Sequence, residues 1–458
     1  MHLTADDASS ATIVAQATAA APGGVGILRV SGPHAIAACL PLVPTLMARE
    51  GGPEPRRAYT VTLCARDGTP LDVGLWLSFA APASYTGEEV VELHAHGSPG
   101  LLQMLQREVL GDARVRLAEP GEFTRRAFLN GKLDLTQAEA VADLIAASSE
   151  LAVRAAGAQL RGALSKKLRE VLEPLRVLHA DLEALLDFPE ESEGAETGLV
   201  ARLEELLAPV ETLLEGARRG RWAREGARVA LYGPPNAGKS TLFNALLGAP
   251  RALVDEEPGT TRDVLEARWQ VGPLRLTLLD TAGLREAPGR IEQRGMDAAR
   301  EALSNVEAAL LVLPAGPLSE AERTRWEAEL PVGVPRLLLR SKADLHPGDG
   351  SAPVVDGTLR VSAQTGEGLE ALRGWILEQL GGEDVSGAVL VTGERHASAL
   401  ERMATSLRTA RDAAQAEEPL ELVAGEVMLA HDALSELLGE RPDQALLDTL
   451  FARFCIGK

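Results

Sequence analysis

The octapeptide GPPNAGKS, residues 233–240, limits this chain more than any other stretch. It fits the spacing G-x-x-x-x-G-K-[ST], follows the strand-like run RVALY and precedes the helix-like run TLFNALLG. A phosphate-binding loop requires that strand–loop–helix context. Its glycines let backbone amides curl around a β-phosphate. Lys239 would reach the β- and γ-phosphates, and the Ser240 hydroxyl would bind Mg²⁺. Asn236, Ala237, Gly238 and Thr241 complete the expected cradle. A parallel sheet flanked by helices follows as the fold around it.

Later residues point to the nucleotide. DTAG, 280–283, closes the apolar run LRLTLLD. Asp280 there would hold Mg²⁺ through water, and the Gly283 amide would sense a γ-phosphate, with Thr281 and Ala282 between them. PGTTRD, 258–263, lies where a switch loop supplies a second hydroxyl to Mg²⁺, and Thr261 is the candidate. In SKAD, 341–344, the Asp344 carboxylate can accept both N–H edges of guanine, which adenine does not offer. Ser341, Lys342 and Ala343 precede it, and VSA, 361–363, adds Ser362 and Ala363 to the base pocket. In this order the five motifs resemble those of the translation-factor-like GTPases. Ser341 stands where that pattern has Asn; being shorter, it is expected to weaken the usual anchor on the phosphate loop. Leu284 follows the DTAG glycine and cannot orient water. Glu292, twelve residues past Asp280, is the candidate base, and Asn236 is a candidate ligand for a monovalent cation.

The surroundings suggest an insertion. The first ~120 residues hold β-like runs at 12–15, 26–30, 73–79 and 90–94, punctuated by Gly and Pro. Leucines at 160, 164, 168, 172, 175, 178, 182 and 185 then recur every three or four residues, one face of a long helix with Pro174 inside it. An acidic stretch at 189–198 separates this from a second Leu-rich helix over 199–217. LRLTLLD, AALLVLP and PRLLLRS are continuous apolar runs, as buried parallel strands require, and the chain turns helical again near 385. The expected architecture is a multidomain α/β chain. An N-terminal α+β domain spans 1–121, an all-helical domain 122–222 and 385–458, and an inserted P-loop GTPase domain 223–384. The formal charge of −20 opposes bulk electrostatic attraction to membranes or nucleic acid. The local basic candidates are Arg125 and Arg126, and Arg218, Arg219, Arg221 and Arg224. Three scattered cysteines give no disulfide framework, and no stretch reads as a signal peptide or a membrane span, so a cytoplasmic protein is expected. His94 and His96 alternate along one strand, without a third ligand beside them. Gly24 and Gly26 lack the third glycine of a dinucleotide fingerprint.

The segments TIVAQAT, GGVGILRVSG, YTGEEVVELHAHG and PGEFTRRAFLNGKLDLTQAEAVADLI, the five GTPase motifs and the terminal FCIGK together resemble the tRNA-modification GTPases called MnmE or TrmE, over nearly the whole chain. That resemblance implies a homodimer with a folate-binding N-terminal fold. It also implies an FAD-dependent partner, MnmG (GidA), and modification of C5 of the wobble uridine of certain tRNAs with a one-carbon unit from a tetrahydrofolate derivative. The matching folate positions are Arg29, Glu88, Lys132 and Lys458. The family's potassium site matches Asn236 with the loop 254–261, carrying Asp255, Glu257, Gly259, Thr260 and Thr261, and its water-orienting residue matches Glu292. The competing reading is a GTP-switched ribosome-assembly or RNA-binding factor without modification chemistry. In the tail, Phe451, Phe454 and Ile456 are expected as anchors, Gly457 as a point of close backbone approach and Lys458 as a folate contact. Cys455 is either a reactive group near the one-carbon unit or a small buried residue.

Overall fold

The computed structural model describes residues 11–188, 198–248, 265–280, 303, 305–314, 320–328, 333–345, 354–355, 358–380, 390–440 and 443–457. The chain divides into two compact units. One joins Met1–Ala142, Gln159–Ser192 and Leu420–Lys458; the other joins Asp143–Ala158 and Glu193–Pro419. Each unit holds one sheet and one pair of long helices, so the expected helical segments are shared between the units.

The first unit carries a six-stranded sheet of order β3-β4-β5-β2-β1-β6. Its strands are β1 (Thr12–Gln16), β2 (Gly23–Ser31), β3 (Tyr59–Cys64), β4 (Pro70–Phe79), β5 (Val90–Gly97) and β6 (Val115–Leu117). The four expected runs all lie in strands; β3 and β6 are additional. Leu28, Val30, Trp76, Val91 and Leu93 face a core shared with short helices α1 (Ala35–Cys39) and α2 (Pro44–Met47) and with α3 (Pro99–Leu110). Pro99 opens α3 and the Ser98 hydroxyl accepts from the Leu101 amide, a sound N-terminus. Leu102, Leu105 and Val109 then bury one helical face. A Cβ on Gly26 would meet Leu102 at 2.5 Å, so this glycine serves helix–sheet packing. Alternation along the strands leaves Arg29, Ser31, Glu92 and His94 on the other face.

After the sheet come α4 (Glu122–Leu129) and α5 (Leu135–Ala146), then α6 (Glu150–Leu160) and α7 (Ala163–Asp187). The Leu-rich face is as expected over α7, where Leu164, Leu168, Leu172, Leu175, Leu178 and Leu182 are buried and the helix runs through Pro174. Leu160 belongs instead to α6, because Gly162 at φ +84° breaks the chain there and the Gln137 amide takes the Leu160 carbonyl. α7 packs on α13 (Leu420–Leu438), and α14 (Gln444–Phe451) closes the unit.

The second unit is built on a seven-stranded sheet of order β12-β13-β11-β10-β7-β9-β8. It comprises β7 (Ala227–Tyr232), β8 (Leu265–Val271), β9 (Leu274–Asp280), β10 (Ala308–Leu313), β11 (Arg336–Arg340), β12 (Val354–Val355) and β13 (Thr358–Arg360). β7, β9, β10, β11 and β13 run parallel, while β8 and β12 are antiparallel edges. The apolar runs named above coincide with the parallel strands, and β10 is buried at every residue. α8 (Leu199–Glu225) is longer than the expected 199–217 and continues through the arginine-rich stretch; it pairs with α12 (Glu394–Gln415), where Arg408 bonds Glu211 at 2.8 Å. The remaining helices are α9 (Lys239–Leu247), α10 (Glu320–Glu327) and α11 (Leu369–Gln379). Among the described residues no helix is long and apolar enough to cross a membrane.

Candidate functional site

The phosphate loop leaves the middle of the second sheet. β7 lies between β10 and β9, and Gly233 follows its last residue. At φ +135°, a Cβ on Gly233 would stand 2.3 Å from the Val312 carbonyl, so only glycine lets the loop lie against β10. Asn236 (φ +59°) and Gly238 (φ +92°) complete the reversal, and α9 begins at Lys239. The first amides of that helix are without intrahelical acceptors and suit an anion. The Lys239 ammonium folds back over the loop, donating to the Pro234 carbonyl at 2.8 Å and the Gly233 carbonyl at 3.1 Å. The Ser240 hydroxyl donates to Asp280 Oδ2 at 2.8 Å. Asp280 ends β9 directly beside Leu231 of β7 and is fully buried. A serine hydroxyl and a carboxylate converging at the N-terminus of α9 are the donor set that Mg²⁺ would take. Thr241 is exposed on the next position.

The Ser341 expectation is corrected by geometry. Its hydroxyl lies 2.5 Å from the Ala237 carbonyl and 3.1 Å from the Leu313 carbonyl, so the phosphate loop is anchored despite the short side chain. β11 brings the serine close enough because its backbone amide also bonds Leu313. Lys342 takes φ +57° and the Ala343 amide bonds the Val361 carbonyl. The Ser362 hydroxyl donates to Asp344 Oδ1 at 2.6 Å and accepts from the Gln364 and Thr365 amides. The Asp344 carboxylate is thus fixed by Ser362 of the VSA segment. Asp255, Glu257, Gly259, Thr260, Thr261, Thr281, Ala282, Gly283, Leu284, Glu292 and Lys458 lie outside the described residues.

A second polar cluster occupies the face of the first sheet opposite the α1–α3 core, beside the Phe123 side chain of α4. Arg29 Nε donates to Glu92 Oε1 at 2.9 Å across the β2–β5 pair, and its guanidinium lies over the Tyr85 and Phe123 rings at 5.5 and 5.8 Å. Glu92 also meets His94, and His96 bonds Asp72 at 2.8 Å. Burial raises the Asp72 carboxyl, but hydrogen bonds from the His96 amide and ring outweigh it and hold the group below its usual range. Among the described residues no group of three or more metal ligands exists, and the two histidines are engaged with carboxylates. Glu88 accepts from Ser31 at 2.7 Å and from Arg126 at 3.0 and 3.2 Å. Arg126 turns its other nitrogen to Glu122 at 2.8 Å, and Arg116 grips Glu122 at 2.6 and 2.8 Å. Burial pushes the Glu122 carboxyl up. Arg116, the Glu119 amide and Arg126 outweigh it and hold the group below the usual carboxylate range. Lys132 donates to the Pro82 carbonyl at 3.1 Å. Arg126 is therefore a buried ion-pair member and Arg125 pairs with Asp448, so neither is a free basic spot. Sequence reasoning missed Ser31, Glu92, Arg116 and Glu122; the i, i+4 spacing of Glu122 and Arg126 on an amphipathic helix is the one local signal for them.

The C-terminus packs in the same unit. Phe451 and Phe454 are buried with Leu135, Ala138, Leu447 and Leu450, as expected, whereas Ile456 is 61% exposed and is no anchor. Cys455 is exposed, which removes the buried reading of that thiol. Gly457 holds φ +98° where a Cβ would stand 2.0 Å from the Gln16 carbonyl, the close approach expected of it.

Two family profiles match the chain: "GTP-binding protein TrmE N-terminus" over residues 12–132 and "MnmE helical domain" over residues 135–455. The chain is 53% identical over 450 residues to the "tRNA modification GTPase MnmE" of Myxococcus xanthus, covering 98% of this chain and 99% of that one. The chain belongs to the MnmE family. Members named in the same way from Neisseria meningitidis serogroup A and Burkholderia ambifaria strain MC40-6 are 41% and 43% identical, over 98% and 97% of this chain and 99% and 98% of theirs. The MnmE helical profile starts in α5 and ends at Cys455, spanning the second sheet between its two helical parts.

Proposed function

We propose that this chain hydrolyses GTP and couples that reaction to tRNA modification. With an FAD-dependent partner of the MnmG (GidA) type, it would add an aminomethyl or carboxymethylaminomethyl group to C5 of the wobble uridine (U34) of certain tRNAs. The carbon would come from a 5,10-methylene- or 5-formyl-tetrahydrofolate. The observation that carries the GTPase reading is the convergence of Lys239, the Ser240–Asp280 pair and the Ser341 tie on one loop. In this reading Lys239 exchanges its carbonyl partners for phosphate oxygens, and Ser240 and Asp280 hold Mg²⁺. Asp344, fixed by Ser362, selects guanine. Mg²⁺ would supply charge neutralisation at the β- and γ-phosphates. Asn236, with Asp255, Glu257 and Thr260, would hold K⁺, Thr261 would add the second hydroxyl to Mg²⁺, and Glu292 would orient water. The cation would sit where an arginine finger otherwise acts.

The folate part rests on Arg29, Glu88 and Lys132 of the first unit, with Lys458 from the tail. A carboxylate suits the N–H edge of a pterin and the cations suit a glutamate tail. Homodimerisation through the N-terminal domain, pairing of two GTPase domains across their nucleotides and a cytoplasmic location belong to the same proposal. The test is a modified-nucleoside profile of tRNA from cells lacking the chain, beside GTP turnover in K⁺ and in Na⁺. Loss of the C5-modified uridine and several-fold faster turnover in K⁺, abolished by Asn236→Ala, are expected. An unchanged nucleoside profile overturns the modification reading in favour of a GTP-switched RNA-binding factor.

A further inference from the structure

Arg126 is 5% exposed and stands between two carboxylates. One side of its guanidinium meets Glu88 through Nη1; the other meets Glu122 through Nη2. Glu122 is held in turn by the Arg116 fork and the Glu119 amide. A planar fork whose far side is fixed cannot rotate, so it sets the plane of whatever carboxylate it meets on the near side. On Glu88, Oε2 takes Arg126 at 3.0 Å and Ser31 at 2.7 Å, while among the described residues Oε1 takes only the longer Arg126 contact of 3.2 Å. A carboxylate offers about four acceptor positions, two on each oxygen. Oε2 is filled, and Oε1 keeps one position for a donor from outside. The backbone is pinned as well: the Ser84 hydroxyl donates to the Glu88 carbonyl at 2.6 Å, and the Glu88 amide donates to the Thr86 hydroxyl at 3.3 Å.

We propose that Arg126 is a positioning residue for Glu88: it holds the carboxylate oriented so that Oε1 meets an N–H donor on the ligand's heterocycle. Arg126 itself touches no ligand. Ser31 serves the same carboxylate by donating to Oε2. This rests on the folate reading of Glu88 given above.

The experiment is a double-mutant cycle in the full-length chain, with 5-formyltetrahydrofolate as the probe and its Kd as the readout. Arg126→Lys keeps the charge and loses the fork. In the Glu88 background it should weaken binding about tenfold or more, the scale of a lost charged hydrogen bond. In a Glu88→Gln background the same change should cost less than about twofold, because the residue through which it acts is gone. Equal losses in the two backgrounds overturn the proposal and assign Arg126 a general structural role. No binding by the unsubstituted chain overturns the folate reading, and this proposal with it. If Arg126→Lys fails to fold, Ser31→Ala replaces it in the same cycle. Dependence on Glu88 then supports the positioning of that carboxylate, and additivity refutes it.

Discussion

At the residue scale, the side chains that do most are those whose partners come from far along the chain. Ser341 and Ala237 are 104 positions apart, yet one hydroxyl joins the SKAD segment to the phosphate loop. Ser341→Ala removes that buried donor and leaves two carbonyls without it. We expect nucleotide release to quicken roughly fivefold, the worth of one neutral hydrogen bond, read from the dissociation of a fluorescent GDP analogue. An unchanged rate would show that the tie carries nothing. Glu122 gives a pH prediction. Its folded pKa is depressed, so its contribution is present above the unfolded value of about 4.3 and fades as pH falls through the lower folded value. Hydrogen-exchange protection of α4 should therefore drop on acidification below that range. Glu122→Gln, which breaks a buried network, should lose stability on the order of 3 kcal/mol at neutral pH and show a flatter acid response. Lys239, Ser240, Asp280 and Asp344 were legible because the spacing of a phosphate loop and the ends of apolar strands carry their chemistry. The Glu88–Arg126–Glu122–Arg116 network was not, beyond the i, i+4 pair on α4, since it joins a loop, a helix and a strand that no sequence period links.

At the element scale, legibility followed burial. The central parallel strand β10 is apolar and buried at every residue, and β7, β9 and β11 each carry an apolar run, as strands covered on both faces do. Edge strand β8, LEARWQV, alternates polar and apolar residues and gives no such run. α8 outran its expected end because the arginines at 218–224 are exposed on a helix that buries Ala217 and Gly220 on its other side. A basic stretch at a helix C-terminus suits the macrodipole and need not mark a loop. The tail illustrates the converse. Three apolar residues there were expected as anchors, and only Phe451, the last residue of α14, and Phe454 just after it are buried. Gly457 then decides how the last residues run. Gly457→Ala adds a Cβ 2.0 Å from the Gln16 carbonyl in a backbone region costing an L-residue about 1–2 kcal/mol. We expect the tail to leave its seat, and carboxypeptidase to trim residues 455–458 several-fold faster than in the unsubstituted chain. Equal trimming would mean that the seat does not depend on this glycine.

At the scale of the whole molecule, charge sets the terms on which nucleic acid is met. Acidic side chains outnumber basic ones by 66 to 46. Of the basic candidates read from the sequence, Arg126 is buried between carboxylates and Arg125 pairs with Asp448. The four exposed arginines of α8 are what is left, and two of these have carboxylates near, Arg221 with Glu307 at 3.7 Å and Arg224 with Glu225 at 3.4 Å. Phosphate contacts dominate affinity for nucleic acid and each releases about one counterion. Four arginines therefore cap the slope of log K against log salt at a magnitude of about 4, and ion pairing lowers it further. We expect the chain alone to bind tRNA weakly with a shallow salt slope. Substituting Arg218 and Arg219 with Gln should flatten that slope by about two. Addition of the proposed FAD-dependent partner should steepen it, because such a partner would then bring most of the cationic surface. Filter binding over a salt series measures all three. A steep slope for the isolated chain would place a tRNA surface on residues other than these and return the whole burden of recognition to this protein.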